Sequence, residues 1–249
     1  MHYEADTHTH TLASGHAYNT ILEMVQAAAD RGLKAVAITD HTPGRNNLEI
    51  PGAPYEIYFR NYRVIPREIK GVRVPMGAEV NIFNDGTVDM SERALKQMDI
   101  VIASIHHQCY TDAGLEENTQ AVLKAISNPY VDILGHPDDS ATPLDYERIV
   151  ARAAETGTII EVNENSYRQP WLRKNCRENA LRYLALCREM RVPVAIGSDA
   201  HFMDLVGSHE YNEALLEEIG FPMDLVVNTD AERLIRYLKE RKERIASAS

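Results

Sequence analysis

The chain has 249 residues, 44% of them hydrophobic and 25% charged, which is ordinary globular usage and excludes disordered, collagen-like and disulfide-scaffold classes. At about 150 residues per domain, the length allows one large α/β domain or two small ones, and a single domain over 1–249 is the expected arrangement. Lys and Arg number 26 against 37 Asp and Glu, a net charge of −11 that repels a long phosphate backbone and excludes long nucleic acid as a partner.

No apolar run approaches the roughly 18 residues of a membrane span. Residues 1–6 are polar with no signal-peptide core, so a cytoplasmic chain without membrane contact is expected. Three cysteines, Cys109, Cys176 and Cys187, show no CxxC spacing and predict neither disulfides nor a thiolate metal site.

Short β-branched or apolar runs recur, each followed by polar residues and a segment of helical period, the pattern of βα units around a parallel sheet. In chain order the predicted strands are 2–8, 35–40, 75–81, 100–105, 131–135, 158–163 and 194–197. A capping box from Thr20 to Glu23 opens a helix that Gly32 stops. Segment 43–54, rich in Pro, Gly and Asn, is too long for a simple βα turn and is expected to cover a site. Tyr55, Tyr58, Phe59 and Tyr62 then fall at helical spacing, which predicts a helix burying an aromatic face rather than a base-stacking platform. Further helices are predicted over 118–127, from Thr142 with Pro143 at the first helical position to a stop at Gly157, over 175–190 and over 210–219. A last helix opens at a box from Thr229 to Glu232, and 246–249 read as a frayed tail.

Histidines and carboxylates collect at the strand ends. His8 and His10 follow the first strand, His41 the second, His106 and His107 the fourth, His136 the fifth and His201 the seventh, while Glu79 ends the third and Asp199 the seventh. In a closed parallel barrel all these carboxyl ends meet on one face. A lone imidazole is more often a core or surface group than a ligand. So many packed together without a cation would repel one another on protonation and lack donors, so a metal centre is expected.

Imidazole and carboxylate without thiolate suit Zn²⁺, Mn²⁺ or Fe²⁺, and disfavour Ca²⁺ or Mg²⁺ alone. His8 and His10 share a strand face and can chelate one ion. A carboxylate such as Glu79 can bridge two ions about 3.5–4 Å apart, a spacing that activates a hydroxide and clamps a phosphoryl group. Divalent cations gathered in one cleft would reverse the sign of an acidic surface locally, so a small phosphorylated molecule remains an acceptable partner.

Asp6-Thr-His8-Thr-His10, Ile38-Thr-Asp40-His41, Gly77-Ala-Glu79, Ala103-Ser-Ile-His106, Gly135-His136-Pro137 and Gly197-Ser-Asp199-Ala-His201 resemble, in order and spacing, the motifs of the PHP (polymerase and histidinol phosphatase) superfamily. His16-Ala-Tyr18 and the stretch from Asn163-Glu-Asn-Ser166 to Arg173 look most like its YcdX-like phosphatase branch. The resemblance spans nearly the whole chain and implies a distorted (β/α)7 barrel with three divalent metal ions, zinc in structures, with manganese or iron as the other working metals. It implies a first ion on His8, His10, Glu79 and Asp199, a second on Glu79, His106 and His136, and a third on His16, His41 and His201.

Two departures stand out. His107 occupies a place where branch members often carry an acidic residue, and is expected to touch a ligand or the substrate. Arg173-Lys174-Asn175 lacks the glycine that relatives often place after the Arg-x pair. The implied activity is hydrolysis of a small phosphomonoester by in-line attack of a hydroxide held between two ions, its pKa lowered from 15.7 towards about 7. Arg173 is expected to clamp the phosphate with its planar fork, Asp40 to orient His41, and Tyr18 and Asn165 to line the pocket.

Phosphodiester cleavage of short nucleotides and histidinol phosphate hydrolysis are the alternatives within enzymes. A non-catalytic metal-binding domain is the alternative outside them, but structural sites are normally closed, and nine ligands over three ions leave positions open. The oligomeric state is not set by the sequence. His2 and His209 match no motif and are expected at the surface.

Overall fold

The computed structural model describes residues 2–46 and 56–248. Among them are strands β1 (Ala5–Asp6), β2 (Ala35–Val36), β3 (Glu68–Ile69), β4 (Val72–Arg73), β5 (Gly77–Asn81), β6 (Ile100–Ser104), β7 (Ile133–Leu134), β8 (Ile159–Asn163) and β9 (Val194–Gly197). They pair as β1-β2-β4-β3 and β5-β6-β7-β8-β9, parallel throughout except for β3 against β4. Isolated parallel bridges join the two sheets on both sides. Ile38 with Met76 and His41 with Glu79 carry the continuation of β2 onto β5, and Thr9 with Ala200 carries that of β1 onto that of β9. With β4 running on into β5, seven parallel segments close a circuit, the distorted (β/α)7 barrel expected from the motifs.

The β3–β4 hairpin was not expected from the sequence. Lys70 (φ 54°) and Gly71 (φ 77°) are both left-handed, as a two-residue hairpin turn requires. Lysine at the first of these positions hides the signal that Asn or Asp would give.

Strand alternation decides what faces inward. At the amino ends Ala5, Ala35, Ile100, Ile133, Ile159 and Ala195 form an apolar plug, sealed by Leu234 and Leu238 of the last helix, Ala231–Ala248. Farther along the same faces come Glu79 and Glu161, then Asn81, Ser104 and Asn163, all fully buried. The outward-facing alternates, among them Val80, Val101, Ala103, Val162 and Ile196, join a larger core under helices Ile21–Asp30, Leu115–Ile126, Tyr146–Thr156, Cys176–Met190 and Glu210–Glu218. The interior therefore runs from hydrocarbon to polar groups toward the carboxyl ends. A buried charge there must find partners.

Helix ends follow capping chemistry with two shifts. The Thr20–Glu23 box forms as expected. Tyr146–Thr156 begins three residues later than expected, because the Asp145 carboxylate accepts from Arg148 N–H, and Gly157 (φ 69°) ends it. Asp230 likewise accepts from Arg233 N–H in place of the expected Thr229 cap. In both cases a carboxylate at the positive end of the helix dipole sets the start in place of a threonine upstream, three residues before in the first helix and one in the second.

The last helix runs to Ala248, through residues expected to fray. Phe59 and Tyr62 bury the predicted aromatic face, packed edge-to-face with Tyr58, whereas Tyr55 and residues 47–54 of the segment expected to cover a site lie outside the described residues. Cys176 and Cys187 are buried thiols. No helix among the described residues is long and apolar enough to cross a membrane.

Asn228 ties the first strand to the last. Its Nδ2 donates to Ala5 O (2.9 Å) and Ile196 O (2.8 Å), and its Oδ1 accepts from Ile196 N–H (2.8 Å), all buried. Asn228→Ala is expected to cost about 2–4 kcal/mol, from the lost bonds and the carbonyl and amide groups left unpaired. Urea unfolding measures this, and a loss under about 1 kcal/mol would show that closure does not depend on the clamp.

Candidate metal centre

Glu79, on the inner face of β5, lies among five imidazoles. Its Oε1 is 3.1 Å from His106 Nε2 and 2.9 Å from His136 Nε2. Its Oε2 is 2.8 Å from His41 Nδ1, 3.3 Å from His8 Nε2 and 3.5 Å from His10 Nε2. Asp199 Oδ1 lies 3.1 Å from His10 Nε2, 3.7 Å from His8 Nε2 and 3.5 Å from His201 Nδ1. His16 Nε2 is 2.8 Å from His201 Nε2. All nine residues singled out as ligands in the sequence thus stand in one cluster. Three overlapping groups have donor atoms close enough to share an ion: His8, His10 and Asp199; His41, Glu79 and His106; His10, His41 and His201. His41 therefore reaches Glu79 as well as His201.

The chemistry of the donor set fits divalent cations. His8 Nδ1 faces Glu161 Oε1 (2.7 Å), His16 Nδ1 faces Ser14 O (2.9 Å), His106 Nδ1 faces Asn81 Oδ1 (2.7 Å) and His201 Nδ1 faces Asp199 O (2.9 Å). An acceptor at Nδ1 fixes the proton there and leaves the Nε2 lone pair for a ligand bond. His8 Nε2, His10 Nε2 and Glu79 Oε2 are buried and, although charged or imidazole neighbours lie close, none forms a well-aligned hydrogen bond, the state of atoms that a cation satisfies.

Burial, with His201 nearby, pushes His10 down to about 3, and burial also holds His41 low, so both imidazoles are neutral donors. Burial alone would raise Glu79 and Asp199, but the surrounding imidazoles hold both well below the usual carboxylate range. His8 is the exception. Burial would lower it, yet Glu161, Glu79 and Asp199 together hold it well above its usual value, so the local field favours positive charge at that point.

Two buried carboxylates hold the cluster from outside. Asp40 accepts from Thr11 N–H (2.7 Å), Thr11 Oγ1 (2.8 Å), Ser14 Oγ (2.7 Å), Tyr58 (3.1 Å) and Tyr62 (3.5 Å). Because Ser14 gives its proton to Asp40, its oxygen accepts from His10 Nδ1 (2.9 Å) and His41 N–H (3.1 Å). Asp40 thereby reaches two candidate ligands through one hydroxyl. Glu161 escaped the sequence reading. Its Oε1 meets His8, and its Oε2 accepts from His136 N–H (2.8 Å) at a left-handed backbone (φ 27°). Gly197 makes room for it, since a Cβ there would sit 2.2 Å from Oε1. The available signal was an acid at an inward position of a strand, two residues from Ile159 and Asn163.

Five of the donors, His16, His106, His136, Asp199 and His201, line a cavity of about 410 Å³. Arg173 lines it, donating to Ser166 Oγ (2.5 Å) and lying 4.0 Å from Asp199 Oδ2. His107 lines it too, exposed and 3.2 Å from Asp139 Oδ2. Asn165 is on the wall, whereas Tyr18 is exposed and Asp40 buried, and neither lines the cavity. His209, expected at the surface, is buried edge-on to Tyr3, a packing contact that no motif announces.

A parallel (β/α)7 barrel with a histidine–carboxylate cluster at the carboxyl ends of its strands defines the class. The PHP domain family matches residues 6–165. A "Probable phosphatase" of Caldanaerobacter subterraneus subsp. tengcongensis is 44% identical over 242 residues, covering 96% of this chain and 92% of that protein. Another, from Acetivibrio thermocellus, is 43% identical over 246 residues, covering 98% and 99%. The chain belongs to the PHP domain family. Its fold is similar to the crystal structure of histidinol phosphate phosphatase from Lactococcus lactis subsp. lactis, complexed with zinc, L-histidinol and phosphate (TM-score 0.59, 17% identity, 88% of this chain and 95% of that one).

Glu161→Gln is expected to weaken zinc or manganese binding roughly 10–100-fold while the metal-free protein melts nearly unchanged. Chelator competition against the purified protein reads the affinity. An unaltered dissociation constant would remove Glu161 from the support of the centre.

Proposed function

We propose that this protein is a metal-dependent phosphatase hydrolysing a small phosphomonoester. The observation that carries the reading is a guanidinium, Arg173, on the wall of the cavity that is also lined by His16, His106, His136, Asp199 and His201 of the donor cluster. The named relatives, and the zinc and phosphate of the Lactococcus complex, support it. Three ions would be held by His8, His10, Glu79 and Asp199; by Glu79, His106 and His136; and by His16, His41 and His201. When bound, divalent ions supply charge neutralisation at phosphorus and acidify a water for in-line attack.

The chain's own residues do the rest. Arg173 binds two phosphate oxygens in its fork, and Ser166 holds the guanidinium in place. Glu161, and Asp40 through Ser14, fix the tautomers of His8 and His10, which keeps their Nε2 lone pairs directed inward. His107, steadied by Asp139, is the side chain placed to contact the leaving group. The open cavity beside the donors favours turnover over metal storage, and the net charge of −11 favours a small substrate over long nucleic acid.

Phosphate release from p-nitrophenyl phosphate and a panel of phosphorylated metabolites, with added Zn²⁺ or Mn²⁺, tests the reading. Stoichiometric metal without turnover of any of them would transfer the chain to the storage class. His8→Ala and Asp199→Ala are expected to lose metal and activity together. Arg173→Ala is expected to keep its metal and raise KM roughly 10–100-fold, the loss of charge-assisted bonds to phosphate. Equal metal loss in all three variants would contradict this division.

A further inference from the structure

Arg173 stands on the cavity wall without regular structure of its own, between the short helix Asn165–Arg168 and the helix Cys176–Met190. A long side chain on such a segment keeps one direction only if its neighbours fix it. Those neighbours come from the turn after β7, residues 138–140.

The main chain around Arg173 is fastened first. Asp139 Oδ1 accepts from Lys174 N–H (3.0 Å), and Ser140 N–H donates to Lys174 O (2.9 Å). Asn175 stands where the sequence lacks a glycine. It takes the left-handed conformation (φ 54°), which asparagine tolerates, and its Nδ2 donates to Ser140 Oγ (3.3 Å). Asn179 Nδ2 donates to the same Oγ (2.9 Å) and to Asp138 O (2.7 Å), which ties the turn to helix Cys176–Met190.

The guanidinium is fixed separately. Asp138 is fully buried, and its Oδ1 accepts from Ser166 Oγ (3.2 Å). Because Ser166 gives its proton to that carboxylate, its oxygen is left to accept from Arg173 Nη1 (2.5 Å). Ser166 is 2% exposed, and its own N–H donates to Asn163 Oδ1 (3.2 Å), so the hydroxyl has a fixed place. Among the charges around Asp138, that of Arg173 acts on it most strongly. The buried acid is stabilised by the guanidinium, and in return sets which way the serine proton points.

We propose that Asp138 is a positioning residue for Arg173, acting through Ser166, and that the 138–140 turn sets the phosphate clamp before any substrate arrives. The proposal rests on the phosphatase reading above. Asp138 does not line the cavity. Its contribution to phosphate affinity is the rotamer freedom that Arg173 no longer has to lose on binding.

Calorimetry of inorganic phosphate with the zinc-loaded protein, beside steady-state hydrolysis of p-nitrophenyl phosphate, tests this. Asp138→Ala and Ser166→Ala are each expected to weaken phosphate binding about tenfold and to raise KM by about the same factor, with zinc content unchanged and kcat within about threefold. Asp138→Asn, whose amide oxygen still accepts from Ser166, is expected to stay within about threefold of the parent. In an Arg173→Ala background either alanine substitution should add less than about twofold, because the group it positions is already gone. Ser166→Ala removes a single oxygen, so it decides the question even where Asp138→Ala fails to fold. A further tenfold loss in the Arg173→Ala background, or phosphate affinity unchanged in the single variants, would overturn the proposal. Coupled loss of phosphate binding without hydrolysis of any ester would keep the mount and sink the phosphatase reading. Hydrolysis with a phosphate affinity indifferent to both residues would sink the mount alone.

Discussion

An ionised carboxylate with no solvent contact, placed where five imidazoles converge, is the constraint around which this barrel is organised. Glu79 sits on an inward position of β5, above a plug of alanine and isoleucine that admits no compensating charge from below. Such a group costs several kcal/mol unless it is neutralised. The neighbouring imidazoles satisfy its lone pairs in part, but His10 and His41 are themselves held neutral by burial. The balance of charge is left to cations, and every strand end that enters the cluster brings a group able to bind one.

Support for that arrangement comes from outside the ring of donors. Glu161 works from within the barrel, joining the imidazole of His8 to the main chain of His136, so one carboxylate spans two of the proposed ion positions. Asp40 works from the segment that follows β2, where Thr11, Ser14, Tyr58 and Tyr62 saturate it. Neither faces the cavity. Their geometry suits orientation of other side chains, whereas Arg173 and His107 are on the cavity wall.

Much of this was legible in the sequence, for a physical reason. A parallel strand buried on both faces reads as a short apolar run, and ligands must follow such runs because the barrel brings those ends together. All seven strand positions and eight of the nine clustered residues could be read that way, while His16 came only through the family resemblance. Alternation, however, says which face a residue occupies and not what lies opposite, so Glu161 passed as part of β8. Local pattern also misplaced starts: threonines at 142 and 229 looked like caps, but aspartates nearer the first turn took the role. The β3–β4 hairpin and the burial of His209 depend on tertiary packing and on a lysine in a left-handed conformation, which composition does not announce.

The Asn228 clamp has a consequence for how such a molecule comes into being. His8 and His10 leave the ribosome early, yet their partners Asp199 and His201 follow almost two hundred residues later, and the residue that fastens β1 to β9 emerges later still. Contacts of such sequence separation are slow to form, because a long loop must be closed before they repay its entropy. The nascent chain therefore carries its histidines as an unfinished crescent, and the histidine–carboxylate cluster is complete only once synthesis has passed the final turn of the ring.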